Sequence, residues 1–467
     1  MERSIYQSLL GWKNKQERKP LILNGARQVG KTYILQEFGR REYRQLAFFS
    51  LDRDQKAAEV FEKGGSTADM LMALSAISQV DITPNDTLVV LDEIQDCPKA
   101  LEALKYFCED TPDIHIIVAG SLLGISLHNG VSYPVGKVEE LRLYPMNFLE
   151  FLGAMGKRQL VSILTDANWN VVNMLETELT SLLRQYYYVG GMPAAVLAHV
   201  RQKGLQEVRS IQTQILLDYR RDFSKHAPGR EVPRINMVWD SIPAQLAKEN
   251  KKFVYGAVRK SARAADFELA IQWLIDAGLA YKVQRVNTPR LPLKFYEDPN
   301  AFKLFMLDVG LMGAMAETSA ESTLVGDGIF SEYKGAFTEL YVLTQLKSRG
   351  MSLYYHAVDN STIEIDLLAQ WHDRVVPIEV KAAVNVKAKS LRTFIMRHPQ
   401  LKALRFSMLP YKDQDWDGQR PPLCLPGVIG QNDRGRPWLK TIVTNYVFRL
   451  IRRCVSLCPI VSPLVLL

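Results

Sequence analysis

Gly25-Ala26-Arg27-Gln28-Val29-Gly30-Lys31-Thr32 fills the fixed positions of the pattern G-x-x-x-x-G-K-[ST]. The apolar run Leu21-Ile22-Leu23-Asn24 leads into it, and a helical pattern, Tyr33–Phe38, leads out. The glycines let the backbone curl until its N–H groups point at phosphate oxygens, and the helix N-terminus adds positive partial charge. Lys31 would then reach β- and γ-phosphates, and the Thr32 hydroxyl would bind Mg²⁺. The competing reading is a plain glycine turn between a strand and a helix. The filled motif in the right context favours a nucleotide loop contributed by Gly25, Ala26, Arg27, Gln28, Val29, Gly30, Lys31 and Thr32.

Working outward, Thr87-Leu88-Val89-Val90-Leu91-Asp92-Glu93 is an apolar run that ends in two carboxylates. So apolar a strand belongs at the centre of a parallel sheet, where ligands bind at the carboxyl ends of strands. Asp92 is placed to hold Mg²⁺ through water, and Glu93 to polarise an attacking water as the catalytic base. Alone, both would read as an ordinary charged strand end; the upstream loop favours the functional reading. Ser121 follows the apolar run Ile114–Ala119 and is a candidate γ-phosphate sensor, weighed against a serine that merely caps a turn.

The chain has 467 residues, 47% hydrophobic and 23% charged. This excludes a disordered chain, a collagen-like repeat and a small disulfide scaffold, and suggests roughly two to four domains. Five cysteines without Cys-x-x-Cys spacing fit a reducing cytoplasm. The first residues lack a signal-peptide core, and no apolar run is long enough to span a membrane.

Through residue 160 the apolar runs Pro20–Asn24, Gln45–Ser50, Thr87–Asp92 and His115–Gly120 alternate with helical patterns, as in an α/β domain with a parallel sheet. Residues 161–234 read as a helical connector. Residues 235–293 read as short helices followed by strands Leu279–Val286 and Leu291–Tyr296. Within them Phe267, Ala270, Ile271, Leu274 and Ala277 follow helical spacing over Ala264–Ala277, with Gly278 as the stop. That order suggests a winged helix. Lys251, Lys252, Arg259, Lys260 and Arg263 would be its phosphate contacts on DNA, against the reading of a solvated basic face. Residues 294–425 mix strands and helices again, and 426–467 form an atypical basic and apolar tail.

Between 361 and 381 the pattern permits a register. If the polar turn centres on His372 and Asp373, Leu367 faces Ile378, Ile365 faces Val380 and Ile363 faces Ala382 on one apolar face. On the other face Asp366 opposes Glu379, and Glu364 opposes Lys381. Two carboxylates directly opposite repel, and a divalent cation between them removes that cost. Lys381 is then placed to orient or deprotonate a water. The competing reading is a hairpin with a solvated Glu–Lys face.

GARQVGKT, LVVLDEIQ, VAGSLLGI, LYPMNFLEFL, YYVGGMP and FKLFMLDVGL occur in that order. In these stretches, over about residues 1–420, the chain resembles the prokaryotic AAA-like P-loop ATPases with an uncharacterised (DUF4143-type) C-terminal domain. The resemblance implies an ATP-binding domain at 1–160, a helical and winged-helix middle, and a C-terminal α+β domain of restriction-endonuclease-like (PD-(D/E)XK) fold at 294–425. It implies ATP and Mg²⁺ as cofactors. In the nuclease-like domain it implies Asp366 and Glu379 as metal ligands, Lys381 as the catalytic assistant and Glu339 as a supporting acid on the preceding helix. Gly136-Lys137 stands where the family has Gly-Arg, so no trans-acting arginine carries over. Arg142 is the substitute candidate, against a solvated surface arginine.

The net charge of +8, from 58 basic and 50 acidic residues, hints at nucleic acid as partner. Six basic residues against one acidic residue, Asp433, fall in 426–467, a balance of +5 that leaves +3 for the rest. DNA contact must therefore rest on local patches, and the tail reads as an unstructured extension, against the reading of a membrane-touching or partner-binding one. The expectation is a cytoplasmic Mg²⁺-dependent ATPase whose nucleotide state controls the winged helix and the C-terminal domain on DNA. A homo-oligomer is a further candidate assembly. The alternative is an ATP-bound regulatory or binding module with little turnover and a catalytically inactive nuclease-like domain.

Overall fold

Five short segments, β1 (Leu21–Asn24), β2 (Gln45–Ser50), β3 (Thr87–Asp92), β4 (His115–Gly120) and β5 (Glu139–Arg142), form one parallel sheet in the order β2-β3-β4-β1-β5. All six residues of β3 and of β4 are buried, as central strands covered on both faces must be. Alternate residues feed opposite cores. Leu21, Leu23, Leu88, Val90, Ile117 and Ala119 pack into one cluster, and Ile22, Val89, Leu91, Ile116 and Val118 into the other. The apolar runs expected at β2, β3 and β4 are these strands. The computed structural model describes residues 1–121, 123–126, 132–248, 251–325, 328–358, 363–381, 389–407, 412–416, 423–424 and 439–444.

A helical layer follows, including Glu176–Val189, Pro193–Val200 and the 22-residue helix Leu205–His226. Val232–Leu246, the short Tyr255–Val258 and Ala264–Asp276 lead into β6 (Ala280–Val286). Phe267, Ala270, Ile271 and Leu274 are buried, as their spacing predicts.

The second sheet adds β7 (Glu297–Met306), β8 (Leu353–Ala357), β9 (Glu364–Trp371), β10 (Arg374–Val380), β11 (Leu404–Phe406), β12 (Lys412–Trp416), β13 (Leu423–Cys424) and β14 (Leu439–Thr444). Its order is β13-β12-β14-β11-β10-β9-β8-β6-β7, with parallel and antiparallel pairs mixed. The helix Gly328–Lys347 precedes β8 and carries Glu339.

Three expectations change here. The strand expected over Leu291–Tyr296 is a turn and a short 3-10 helix, Leu293–Tyr296, and the partner of β6 is β7. The residues Ala301–Met306, apolar except for Lys303, explain the choice, because the buried half of β7 lies there. The β6–β7 pair is also not a free-standing wing, since β6 pairs β8 and so continues the C-terminal sheet. In the tail, Leu439–Thr444 is a strand between β11 and β12 and not unstructured; the remainder of 426–467 lies outside the described residues. One apolar cluster runs from Ile5 to Phe406, so the first sheet, the helical layer and the second sheet share a core. Among the described residues no helix is long and apolar enough to cross a membrane.

Candidate functional site

The carboxyl ends of β1, β3 and β4 bring the first group of residues together. After β1 the chain passes Gly25, where a Cβ would lie 2.4 Å from the Leu143 carbonyl oxygen, so no larger residue fits. Gly30 has φ +94°, a left-handed conformation that favours glycine. It opens the helix Lys31–Glu42, whose first N–H groups face the loop.

Lys31 is buried, and its ammonium donates to the Gly25 and Ala26 carbonyls and to Ser121 Oγ, each at 2.9 Å. Burial pulls its pKa down to about 8, although Glu93 and Asp92 act in the opposite sense. Thr32 Oγ1 donates to Asp92 Oδ2 at 2.5 Å, and the Glu93 N–H donates to Asp92 Oδ1 at 3.0 Å. Burial raises the Asp92 pKa, and the Thr32 hydrogen bond partly offsets that. Glu93 sits just past β3 at φ +53°, sparsely populated for a non-glycine residue. Its Oε2 accepts from Gln95 Nε2 at 2.6 Å. Lys31, Thr32, Asp92, Glu93 and Ser121 thus converge as the sequence predicts.

Sequence reading missed what holds the loop from outside. Arg27 is ion-paired to Asp222 on the helix Leu205–His226. Gln28 Nε2 donates to Asp218 at 3.0 Å, and the Tyr219 hydroxyl donates to the Arg27 carbonyl at 2.9 Å. Asp218, Tyr219 and Asp222 occupy one turn of that helix. Arg3, also buried, donates to the Val29 carbonyl at 3.0 Å and pairs with Glu150 at 3.3 Å. A lone arginine near the first residue carries no local signal for this. Arg142 is exposed, and a Cβ at Gly278 would stand 3.2 Å from its Nη2 and 3.5 Å from the Ala26 nitrogen.

The second group lies on β9 and β10 under the helix Gly328–Lys347. Their register is the expected one from Arg374↔Trp371 to Ile378↔Leu367. The ladder stops there, before Asp366 and Glu379. Asp366 Oδ2 instead accepts the Val380 N–H at 2.7 Å. The unbroken apolar face also fails. Ile363 and Ile365 pack in one cluster, Leu367 and Ile378 in another, because the β8–β9 register shifts between Tyr354 and His356. Ala382, the expected partner of Ile363, lies outside the described residues.

Nor does Glu364 meet Lys381. Glu364 Oε1 lies 2.8 Å from Lys303 Nζ, and Lys381 Nζ lies 2.6 Å from Glu379 Oε1. Fully buried Glu339 is gripped by Lys303 Nζ at 3.0 Å and also by Lys251. Lys251 is therefore engaged inside the chain rather than offered to a phosphate backbone; Arg259, Lys260 and Arg263 are exposed. Burial raises the Glu339 pKa, but Lys251 and Lys303 more than reverse this. Burial and Asp366 push the Glu379 pKa up, and its Oε2 is buried with no hydrogen-bond partner among the described residues. Among the described residues no group of three or more His, Cys, Asp or Glu is arranged to hold a metal ion.

Residues 17–152 match the family model of an AAA domain. Residues 180–322 match a domain of unknown function, DUF8612, and residues 334–419 a domain of unknown function, DUF4143. No curated protein matches the chain. Among solved structures, AMPPCP-bound DnaA from Aquifex aeolicus is 15% identical, with 58% of this chain and 86% of that one covered at a TM-score of 0.27. Cdc6p from Pyrobaculum aerophilum is 12% identical, with 68% and 94% covered at a TM-score of 0.26. DNA-bound ORC from Drosophila is 13% identical, with 67% and 94% covered at a TM-score of 0.24. Likenesses this slight carry no conclusion. The family models and the parallel sheet with its phosphate loop do: the chain carries a P-loop AAA domain followed, towards its C-terminal end, by a DUF4143 domain.

Proposed function

We propose that the chain is a Mg²⁺-dependent ATPase that uses nucleotide state to set the arrangement of its middle and C-terminal segments. The observation that carries this is the buried Lys31 ammonium, aimed into the loop and held by two loop carbonyls and Ser121. Phosphate oxygens of ATP compete for the same three protons. The paired Thr32 hydroxyl and Asp92 carboxylate fit the magnesium ion, Thr32 as a direct ligand and Asp92 through water. When bound, Mg²⁺ neutralises charge on the β- and γ-phosphate oxygens. Glu93, held by Gln95, takes the proton of the attacking water, and Ser121 reports the γ-phosphate. Loop contacts through Arg27 and Gln28 pass the change to the helix Leu205–His226.

We read the segments as an ATPase domain at 1–160, a helical connector at 161–234, a further helical segment at 235–293 that runs into β6 of the second sheet, and a nuclease-like domain at 294–425, acting in the cytoplasm. DNA is the proposed partner, through the exposed Arg259, Lys260 and Arg263 at the start of the helix Ala264–Asp276. Phosphate release from Mg-ATP by the purified chain, with and without duplex DNA, tests the reading. Turnover that rises with DNA supports an ATPase acting on DNA. Tight ATP retention without turnover favours the second reading, an ATP-bound regulatory module. That reading draws support from the C-terminal carboxylates, whose partners are lysines.

A further inference from the structure

Four carboxylates meet under the helix Gly328–Lys347: Glu339, Glu364, Asp366 and Glu379. Four cations face them. Lys303 bridges Glu339 and Glu364 at 3.0 and 2.8 Å, Lys251 pairs with Glu339, and Lys381 with Glu379 at 2.6 Å. Arg405 lies directly beside Glu379 in the β10–β11 register. With all four carboxyls ionised, the four cations balance them and leave the cluster neutral without any metal.

The oxygens are largely taken as well. Both oxygens of Glu339 are bound by lysine ammoniums, Glu379 Oε1 by Lys381, Glu364 Oε1 by Lys303, and Asp366 Oδ2 by the Val380 N–H. Glu379 Oε2 is a buried oxygen without a hydrogen-bond partner among the described residues and would suit a cation, but Mg²⁺ needs near-ideal octahedral coordination. A divalent ion entering beside Lys303, itself fully buried, would also meet an ammonium it could not displace into water.

The cations have a telling origin. Lys251 and Lys303 lie within the segment matched as DUF8612, whereas Glu339, Glu364, Asp366, Glu379, Lys381 and Arg405 lie within the DUF4143 match. We propose that Lys251 and Lys303 stand where a divalent cation would, so that the cluster is a metal-free, charge-neutral junction fastening the middle segment to the C-terminal domain. It is not a nuclease centre. This goes beyond the ATPase reading and does not depend on it.

The test is Mn²⁺ binding to the nucleotide-free full chain, by calorimetry and by the melting midpoint with 1 mM (about) Mn²⁺ or with EDTA. The wild type is expected to show no site attributable to Asp366 and the same midpoint in both conditions. Lys251→Met and Lys303→Met leave an uncompensated carboxylate; in them Mn²⁺ is expected to raise the midpoint by about 2 °C or more. A stoichiometric site in the wild type that is lost in Asp366→Asn and kept in Asp92→Asn overturns the proposal, and this arm needs neither lysine variant to fold. Folded lysine variants that gain no Mn²⁺ response overturn it too.

Discussion

Lys31 shows how much one side chain can organise. Its ammonium ties the ends of β1 and β4 together through Gly25, Ala26 and Ser121, and the motif alone names it. Asp308 is the opposite case, a buried carboxyl that no motif assigned. It accepts from the Gly191 N–H at 2.6 Å and the Leu311 N–H at 2.9 Å, and so caps the helix Val309–Met315 against the Gly190–Gly191 turn. Burial raises its pKa from 3.8 to about 6, more than these backbone bonds lower it. A folded-state pKa above the unfolded one means that its contribution is fully present below about pH 4 and is lost as pH rises through about 6. Asp308→Asn is therefore expected to flatten the fall in stability between those values, where one carboxyl changes the folding constant by up to about tenfold per pH unit. Urea midpoints measured across that range check this; an unchanged slope would show that Asp308 titrates normally.

At the scale of elements, the clearest device is the turn of the helix Leu205–His226 that holds Arg27 and Gln28. The Asp218→Ala/Asp222→Ala double variant should keep ATP affinity within about fivefold, the scale of part-exposed ion pairs. It should also weaken the protection from hydrogen exchange that ATP confers on 205–226. Full protection in the variant would remove the tether from the account. Sequence reading could not find this contact, because Arg27 and Asp222 are 195 positions apart and neither breaks a local pattern. Local pattern was sufficient where both faces of a strand are buried, as in β3 and β4. It also gave the β9–β10 register, since that register follows from the tight turn at His372–Asp373. It failed one step further along the same hairpin. There the β8–β9 irregularity, Lys303 of β7 and Lys251 decide the pairing, and these are tertiary effects.

At the scale of the whole molecule, the two sheets are joined by a common core and by contacts between the segments that flank them. The Phe148 N–H donates to Gln345 Oε1 at 2.9 Å, and the Tyr186 hydroxyl to the Met146 carbonyl at 2.6 Å. The Gly191–Asp308 bond spans the same region. On the proposed reading, this continuity would carry a change at the phosphate loop to the second sheet; the β6–β7 pair belongs with the C-terminal strands because β6 pairs β8. A chain ending at Leu425 loses β14 but keeps every residue of the nucleotide site. Its ATPase rate is expected to equal that of the full chain, measured side by side; a large loss would place the tail in the working assembly.

The central claim is that the Gly25–Thr32 loop binds and hydrolyses ATP. Its most direct test is the rate of phosphate release from Mg-ATP by the full chain beside its Lys31→Ala variant, at matched folding. The account predicts turnover in the wild type and a loss on the order of 100-fold or more in the variant, as expected when a cation facing the transferred phosphoryl group is removed. Equal rates in the two proteins would contradict it.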